Sequence, residues 1–314
     1  MQIYLAPMEG ITTFVYRNAF SKYYGGIDKY FTPFLSNKNL NFKEMNEISP
    51  DHNKGFVVVP QILTNQTEVF LSIACKLSDY GYQEVNLNLG CPSGTVTAKK
   101  RGAGFLSIPD ALDVFLEEIF EKSPLEISIK TRIGTESIDE WEKLLVIYKK
   151  YPLKELIVHP RLQKEFYDGT PHVEAFRMAQ EILTTFPLCY NGDIVSRTSY
   201  DALTDKLAPV GSIMLGRGVL TNPILPITLK AHSPEKIQSP ENMPDAEDFK
   251  RFMAFHDEIL EGYRELMSGD QPVLFRMKEL WTFMRQYLNL TDKQIKRIRK
   301  SKRIDEYKSI IAAI

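Results

Sequence analysis

Eight short runs of apolar, β-branched and aromatic residues recur along the chain, and most are separated by segments with helical periodicity. Runs of this kind are typical of buried strands, and they lie at 2–6, 29–33, 56–61, 84–88, 126–130, 155–159, 187–191 and 212–216. Between them, segments such as 67–80 and 109–121 repeat apolar residues at intervals of three and four, which predicts amphipathic helices. A chain that alternates strands and helices favours the α/β class with a parallel sheet.

Eight strands joined by helices over about 230 residues match a closed (β/α)8 TIM barrel in number and length. A doubly wound open sheet is the alternative. Residues 232–246 hold three prolines and little apolar character, which predicts a linker. Two amphipathic helices follow at 249–267 and 273–288. We therefore predict a barrel over 1–231, a linker over 232–246 and a small C-terminal helical domain over 247–314.

Composition excludes several classes of protein. With 43% hydrophobic and 25% charged residues, the chain has enough apolar material for a globular core and too little bias for disorder. No apolar run approaches the ~20 residues that span a bilayer, so we expect no membrane segment. The three cysteines are far apart and show no C-x-x-C spacing, which favours a reducing cytoplasm and predicts no metal site.

Chemically distinctive residues follow the ends of the predicted strands. In a (β/α)8 barrel the active site lies on the face where the strands end. Each residue alone has a simpler explanation, since a lysine or histidine there is often solvated and a cysteine often packs as a small apolar group. Their recurrence on one rim favours an active site; the rim residues are Pro7, Met8, Gln61, Asn88, Cys91, Lys130, Arg132, His159, Arg161, Asn191, Asp193, Gly216 and Arg217.

The last two predicted strands end in glycine-containing turns, NGDIVS at 191–196 and GRGVLTNP at 216–223. Glycine is common in ordinary turns, but barrels of this type often bind phosphate at the loops after strands seven and eight. Arg217 supplies a side chain suited to a charge-assisted contact. Together with Lys130 and His159, such a phosphate site fits a cofactor that becomes anionic when reduced, as flavin mononucleotide (FMN) does.

Six segments resemble those of the tRNA-dihydrouridine synthases, and they follow that family's order along the barrel. The resemblance implies an FMN-bearing barrel with a C-terminal helical domain that reduces a uridine of tRNA, with NADPH or NADH as electron donor; we also expect a monomer. One departure is Pro160, where the family has glycine. APMEG is most similar to the branch that modifies position 16. The segments are 6–17 (APMEGITTFVYR), 86–109 (NLNLGCPSGTVTAKKRGAGFLSIP), 129–134 (IKTRIG), 158–169 (VHPRLQKEFYDG), 191–194 (NGDI) and 216–223 (GRGVLTNP).

The resemblance also implies residue roles. Cys91 becomes the proton donor to the uracil, and an ordinary thiol with a pKa of about 8.5 suits that role because it is mostly protonated at neutral pH. Lys130 and His159 stabilise the reduced flavin. The other predicted cofactor contacts are Pro7, Met8, Glu9, Gln61, Asn191, Gly192, Asp193, Gly216 and Arg217, and the predicted substrate contacts are Asn88, Arg132 and Tyr167.

Charge distribution bears on the RNA partner. The net charge is −1, but residues 271–314 carry 11 Lys/Arg against 4 Asp/Glu, and 293–303 holds seven basic residues and no acid. Together with Lys99, Lys100 and Arg101, this run predicts contact with tRNA phosphates. Two rivals stay open: an FMN barrel dehydrogenase acting on a free pyrimidine, which needs no basic domain, and a non-catalytic RNA-binding barrel, which has no need of the rim residues.

Overall fold

The eight predicted strands form a closed parallel barrel in the computed structural model, which describes residues 1–231 and 244–314. Each strand pairs with the next along the chain, and the last pairs with the first, with Gln2 opposite Ser212. The barrel prediction is thereby confirmed, and the open sheet is excluded. The strands are β1 (Gln2–Leu5), β2 (Lys29–Leu35), β3 (Val58–Ile62), β4 (Glu84–Leu89), β5 (Glu126–Arg132), β6 (Leu156–His159), β7 (Leu188–Tyr190) and β8 (Ser212–Leu215).

Helices surround the barrel and cover the outer face of the strands. Most are amphipathic, and α3 and α5 correspond to the two predicted helical segments. The α-helices are α1 (Phe14–Tyr23), α2 (Phe42–Ile48), α3 (Thr67–Asp79), α4 (Gly94–Thr97), α5 (Pro109–Lys122), α6 (Glu140–Tyr148), α7 (Val173–Ile182), α8 (Arg197–Thr204), α9 (Arg217–Thr221) and α10 (Leu225–Lys230); short 3-10 helices lie at Pro50–His52, Gly102–Ser107 and Gln163–Glu165.

Most strand residues are apolar on both faces, as expected for a parallel sheet that is covered on both sides. One face packs against the helices in the main core. The other fills the barrel interior with a smaller cluster, formed by Tyr4, Ala6, Phe31, Val59, Ile157, Cys189 and Met214. The interior is therefore packed in its middle, and the rim at the strand ends is the face where barrels of this type carry their chemistry.

The C-terminal helices pack directly on the barrel. They are α11 (Ala246–Leu266), α12 (Asp270–Met284), α13 (Asp292–Lys300) and α14 (Ile304–Ile311), and the two predicted amphipathic helices are α11 and α12. Helix α11 lies along α1, where the Thr13 and Tyr263 hydroxyls are 2.9 Å apart. Close approach requires Gly262, since a Cβ there would lie 2.7 Å from a methyl group of Val15. The predicted linker falls almost entirely on residues 232–243, outside the described residues.

A buried polar network ties these helices together. Trp281 Nε1 donates to the Tyr307 hydroxyl at 2.6 Å, and that hydroxyl lies 2.6 Å from His256 Nε2. Because the hydroxyl oxygen already accepts from the indole, its own hydrogen is available to the imidazole. All three side chains are 1% exposed or less. Across residues 1–231 and 244–314, no helix is both long enough and apolar enough to cross a membrane.

Candidate active site

A cavity of about 410 Å³ opens at the ends of the strands. All fifteen residues predicted as catalytic, cofactor or substrate contacts line it, so the structure brings the whole predicted set together, while the individual roles stay predictions. They are Pro7, Met8, Glu9, Gln61, Asn88, Cys91, Lys130, Arg132, His159, Tyr167, Asn191, Gly192, Asp193, Gly216 and Arg217. Pro33, Phe34 and Phe283 also line the cavity, and sequence reasoning missed them.

Amide side chains from β3 and β4 form a hydrogen-bonded chain on one wall. Gln61 Nε2 donates to Asn86 Oδ1 at 2.8 Å, and Gln61 Oε1 accepts from Asn88 Nδ2 at 2.8 Å. Asn86 in turn donates to the Ser128 hydroxyl at 3.0 Å. Gln61 is fully buried, so its amide is held in one orientation by both neighbours. This explains why polar residues alternate with leucines in β4.

The loop that carries Cys91 is fixed from two sides. Asn88 Oδ1 accepts from the main-chain N–H groups of Gly90 at 3.0 Å and Cys91 at 2.9 Å. Arg132 Nε donates to the Gly90 carbonyl at 2.9 Å. Asn88 is therefore an Asx-type turn residue that closes the end of β4. The thiol position is set by hydrogen bonds rather than by the strand alone.

A 3-10 helix packs against this loop and requires glycine to do so. The Ala103 N–H donates to the Cys91 carbonyl at 3.0 Å. Gly102 has a φ of +55°, and a Cβ there would lie 2.8 Å from the Cys91 carbonyl oxygen. A Cβ at Gly104 would lie 2.7 Å from the Thr97 backbone. The RGAGF stretch thus acts as a support for the thiol loop.

Burial controls the protonation of Cys91. It raises the pKa of the thiol, and the nearby charges of Lys130 and Arg132, which lower it, do not reverse the effect. The thiol is consequently protonated at neutral pH. A protonated thiol suits a proton donor better than a nucleophile, which needs a lowered pKa.

The adjoining wall, formed by β5 and β6, is cationic. Burial, together with the neighbouring Arg132, lowers the pKa of Lys130 to about 8. Among residues 1–231 and 244–314, no carboxylate lies within 4.0 Å of the Lys130 ammonium. Burial, followed by the charges of Lys130, Arg132 and Arg161, places the pKa of His159 well below its ordinary value. His159 is therefore a neutral imidazole beside a lysine without a balancing acid.

Asp193 links two arginines at the edge of the cavity. Its carboxylate accepts from Arg161 Nη2 at 2.5 Å and from Arg217 Nη2 at 2.6 Å. Burial alone would raise the pKa of Asp193, but these two arginines hold it below its usual value. Asp193 also has a φ of +41°, in the left-handed region. The NGD turn is thus held by charge in a conformation that L-residues rarely adopt.

Arg161 is a structural residue that sequence analysis placed on the rim without a role. Its side chain is fully buried and also donates to the carbonyls of Asp168 at 3.1 Å and Gly169 at 2.5 Å. It therefore fixes the loop after β6. Pro160, the departure from the family pattern, uses its carbonyl to accept from the His172 N–H at 2.7 Å. The loop after β6 therefore accommodates proline at position 160.

The three predicted substrate contacts differ in availability. Each guanidinium nitrogen of Arg132 donates to a main-chain carbonyl, on Gly90, Leu162 and Phe166, at 2.7–2.9 Å. Asn88 is committed to the thiol loop, as described above. Tyr167 is 54% exposed, and its ring centroid lies 5.5 Å from the Arg132 guanidinium and 5.2 Å from that of Arg217. Tyr167 is therefore the most accessible of the three.

The turns after β7 and β8 present main-chain donors. Within the described part of the chain, the N–H groups of Gly192, Asp193 and Gly216 have no hydrogen-bond acceptor. Gly216 faces Met8 and Ala6, and a Cβ there would lie 3.7 and 3.5 Å from them. Donors without partners beside Arg217 form a suitable cradle for a phosphate group.

The sequence profile of the dihydrouridine synthase family matches residues 4–306, and thus covers the barrel and most of the C-terminal helices. The chain belongs to the dihydrouridine synthase family. The predicted family membership and enzyme class are thereby confirmed.

The relatives of this chain agree with that assignment. A probable tRNA-dihydrouridine synthase of Staphylococcus aureus is 30% identical over 230 residues, which is 70% of this chain and 68% of that protein. Probable tRNA-dihydrouridine synthase 2 of Bacillus subtilis is 28% identical over 231 residues, 70% of this chain and 69% of that one. Morphinone reductase has a similar fold, with a TM-score of 0.52 at 12% identity, over 76% of this chain and 87% of that chain.

Proposed function

We propose that this dihydrouridine synthase reduces the C5–C6 bond of a uridine in tRNA, with FMN held in the barrel cavity, a nicotinamide as electron donor and Cys91 as proton donor. The observation that carries the proposal is the half-buried thiol of Cys91, which a hydrogen-bonded loop holds in the same cavity as Lys130. The proposal places the reaction in the cytoplasm, and all three cysteines are free.

The cavity fits a flavin mononucleotide. The N–H groups of Gly192, Asp193 and Gly216, together with Arg217, suit its single phosphate. Lys130 lacks a carboxylate partner among the described residues, so its charge is available to the ring system, which becomes anionic on reduction. When bound, the flavin would accept a hydride from the nicotinamide and deliver it to C6 of the uracil.

The protein residues around the cavity then have separate tasks. Gln61, held by Asn86 and Asn88, offers a rigid amide to the ring. Lys130 stabilises negative charge on the ring. His159 is neutral, so it adds a hydrogen-bonding group but no second positive charge. Cys91 transfers its proton to C5 of the uracil after hydride arrives at C6. Preorganised donors of this kind act without rearranging during the reaction.

The proposed tRNA surface is the exposed face of α13 with the residues after it. Ile295 and Ile298 are buried against the domain, and the seven basic side chains of 293–303 are exposed. Five of these basic side chains are on α13, and in the described part of the chain no carboxylate lies within 4.0 Å of their charged groups. Helix α12 connects the C-terminal helices to the cavity, because Phe283 of this helix lines the cavity. A free pyrimidine would not need such a surface.

The proposal is tested with Cys91→Ala. Reduction of the bound flavin by NADPH should stay near the wild-type rate, because the thiol takes no part in that half-reaction. Dihydrouridine formation on unmodified tRNA should fall by roughly 10²-fold or more, the usual loss when a positioned general acid is removed. Cys91→Ser should recover little, because a hydroxyl is a far weaker acid.

Cys75→Ala is the matched control, since Cys75 is an exposed thiol on α3 and should be dispensable. The wild-type protein should be yellow and release FMN on denaturation. Failure to bind FMN, or wild-type turnover of tRNA by Cys91→Ala, would contradict the proposed mechanism.

A further inference from the structure

Phe166 combines two unfavourable features at the rim of the cavity. Its φ is +49°, which is a strained conformation for a bulky L-residue. Its side chain is 47% exposed, so the aromatic ring gains little from burial. A single exposed apolar residue needs no explanation, but strain and exposure together are seldom retained without a role.

The strained conformation is held by specific contacts. The Phe166 N–H donates to the Gln163 carbonyl at 3.1 Å, and its carbonyl accepts from Arg132 Nη2 at 2.7 Å. Glu165 closes the same turn, with its carboxylate 2.7 Å from both the Leu162 N–H and His172 Nε2. These contacts hold the backbone of Phe166, so the fold enforces its strained conformation rather than merely tolerating it.

The Phe166 backbone is next to the site, because its carbonyl accepts from Arg132, which lines the cavity. Tyr167, the following residue, lines the cavity and is also exposed. The loop thus presents two consecutive exposed aromatic residues, one lining the cavity and one beside it. Arg132, which holds the Phe166 carbonyl, also positions the Cys91 loop through Gly90. The same side chain consequently sets the positions of the acid and of the aromatic pair.

From this geometry we infer that Phe166 stacks on the base of a nucleotide next to the target uridine, in a single-stranded loop of the tRNA. The inference rests on the proposed function. A base that leaves its stack to reach a cavity deprives its neighbours of a stacking partner. An exposed aromatic ring at the mouth replaces that partner, as is common in recognition of unpaired RNA. Phe166 is then a positioning residue for the substrate.

The test uses three variants of the FMN-loaded full-length chain. Phe166→Gly removes the ring and relieves the positive φ, so it should fold at least as well as the wild type. Phe166→Leu keeps apolar bulk without aromatic stacking, and Phe166→Trp keeps stacking. We expect the glycine and leucine variants to bind unmodified tRNA roughly 5- to 100-fold more weakly, the range found when a base loses its aromatic partner. The tryptophan variant should bind within about threefold of wild type.

Two further readouts separate stacking from charge and from general damage. The salt dependence of tRNA binding should be unchanged, since no phosphate contact is lost. Reduction of the flavin by NADPH should be unchanged in all three variants. Val114→Ala is the control, because it also shortens an exposed apolar side chain, on the outer helix α5, and should bind tRNA normally.

A double-mutant cycle identifies the base. The modified uridine is first mapped, and tRNAs with an abasic nucleotide on either side of it are then prepared. One abasic position should weaken binding to the wild type and cause little further loss in Phe166→Gly. Unchanged affinity of Phe166→Gly, fully additive losses at both positions, or a raised KM for NADPH without a loss of tRNA affinity would overturn the inference. If wild type itself neither binds nor modifies tRNA, the proposed function fails instead.

Discussion

Gly102→Ala tests whether the support beneath the thiol loop sets the rate of proton transfer. The new Cβ would lie 2.8 Å from the Cys91 carbonyl oxygen and 3.0 Å from Cys91 Cβ. Reaching an ordinary contact of 3.4 Å requires a displacement of about 0.6 Å, which the backbone on both sides must supply. A misplacement of about 1 Å at a reacting group costs roughly 10²-fold in rate, so we expect roughly a 10-fold loss of dihydrouridine formation. The positive φ adds a cost of ~1–2 kcal/mol to the free energy of unfolding.

Gly94→Ala is the matched control on the same loop. Gly94 has no atom within 4 Å of its would-be Cβ and no positive φ, so alanine is accommodated there. The assay compares single-turnover formation of dihydrouridine with the rate of flavin reduction by NADPH. Gly102→Ala should slow the first and leave the second unchanged, whereas Gly94→Ala should change neither. Equal tRNA turnover by Gly102→Ala and wild type would refute the argument that this contact positions the thiol.

Three other variants probe charge and stability. Alanine at Arg297, Arg299 and Lys300 should weaken tRNA binding and flatten its dependence on salt, while flavin reduction is unaffected; an unchanged slope would assign these residues to solubility. Tyr307→Phe leaves two buried nitrogen atoms, His256 Nε2 and Trp281 Nε1, without this hydrogen-bond partner and should lower the free energy of unfolding in urea by about 2–4 kcal/mol. Lys130→Met should stabilise the flavin-free protein at neutral pH and remove a rise in stability above pH 8. That rise is expected because the wild-type ammonium loses its proton near pH 8 when folded but near pH 10.5 when unfolded.

The barrel could be predicted because each strand is a short apolar run, and such a run can be recognised from neighbouring residues alone. The errors are at boundaries: β5 continues to Arg132, two residues beyond the predicted end, because Arg132 still pairs with His159 of β6. Helix α2 was missed although its start is readable. Asn41 and Glu44 form a capping box there, with Asn41 Oδ1 accepting from the Glu44 N–H at 3.0 Å.

Most residues that line the cavity could be predicted, but the hydrogen bonds and ion pairs between them could not. Strand ends place Arg132 and Arg161 beside the cavity, yet their partners lie on loops whose conformations depend on distant packing. Arg17, the last residue of the APMEGITTFVYR segment, illustrates the same limit. It is fully buried and pairs with Glu47 at 2.8 Å, which makes it a structural ion pair away from the cavity. Phe283 was unpredictable, because its place depends on how α12 packs on the barrel.

The charges of the cavity link the cofactor site to the proposed acid. At Cys91, burial raises the pKa of the thiol, while the Ser93 backbone hydrogen bond and the positive charges of Lys130 and Arg132 lower it. An anionic ligand beside Lys130 would offset that charge and weaken the force that lowers the thiol pKa. The thiol would then be held more firmly in its protonated form when the ligand carries negative charge. Negative charge on a ligand beside Lys130 would therefore favour the protonated thiol that the proposed proton transfer requires.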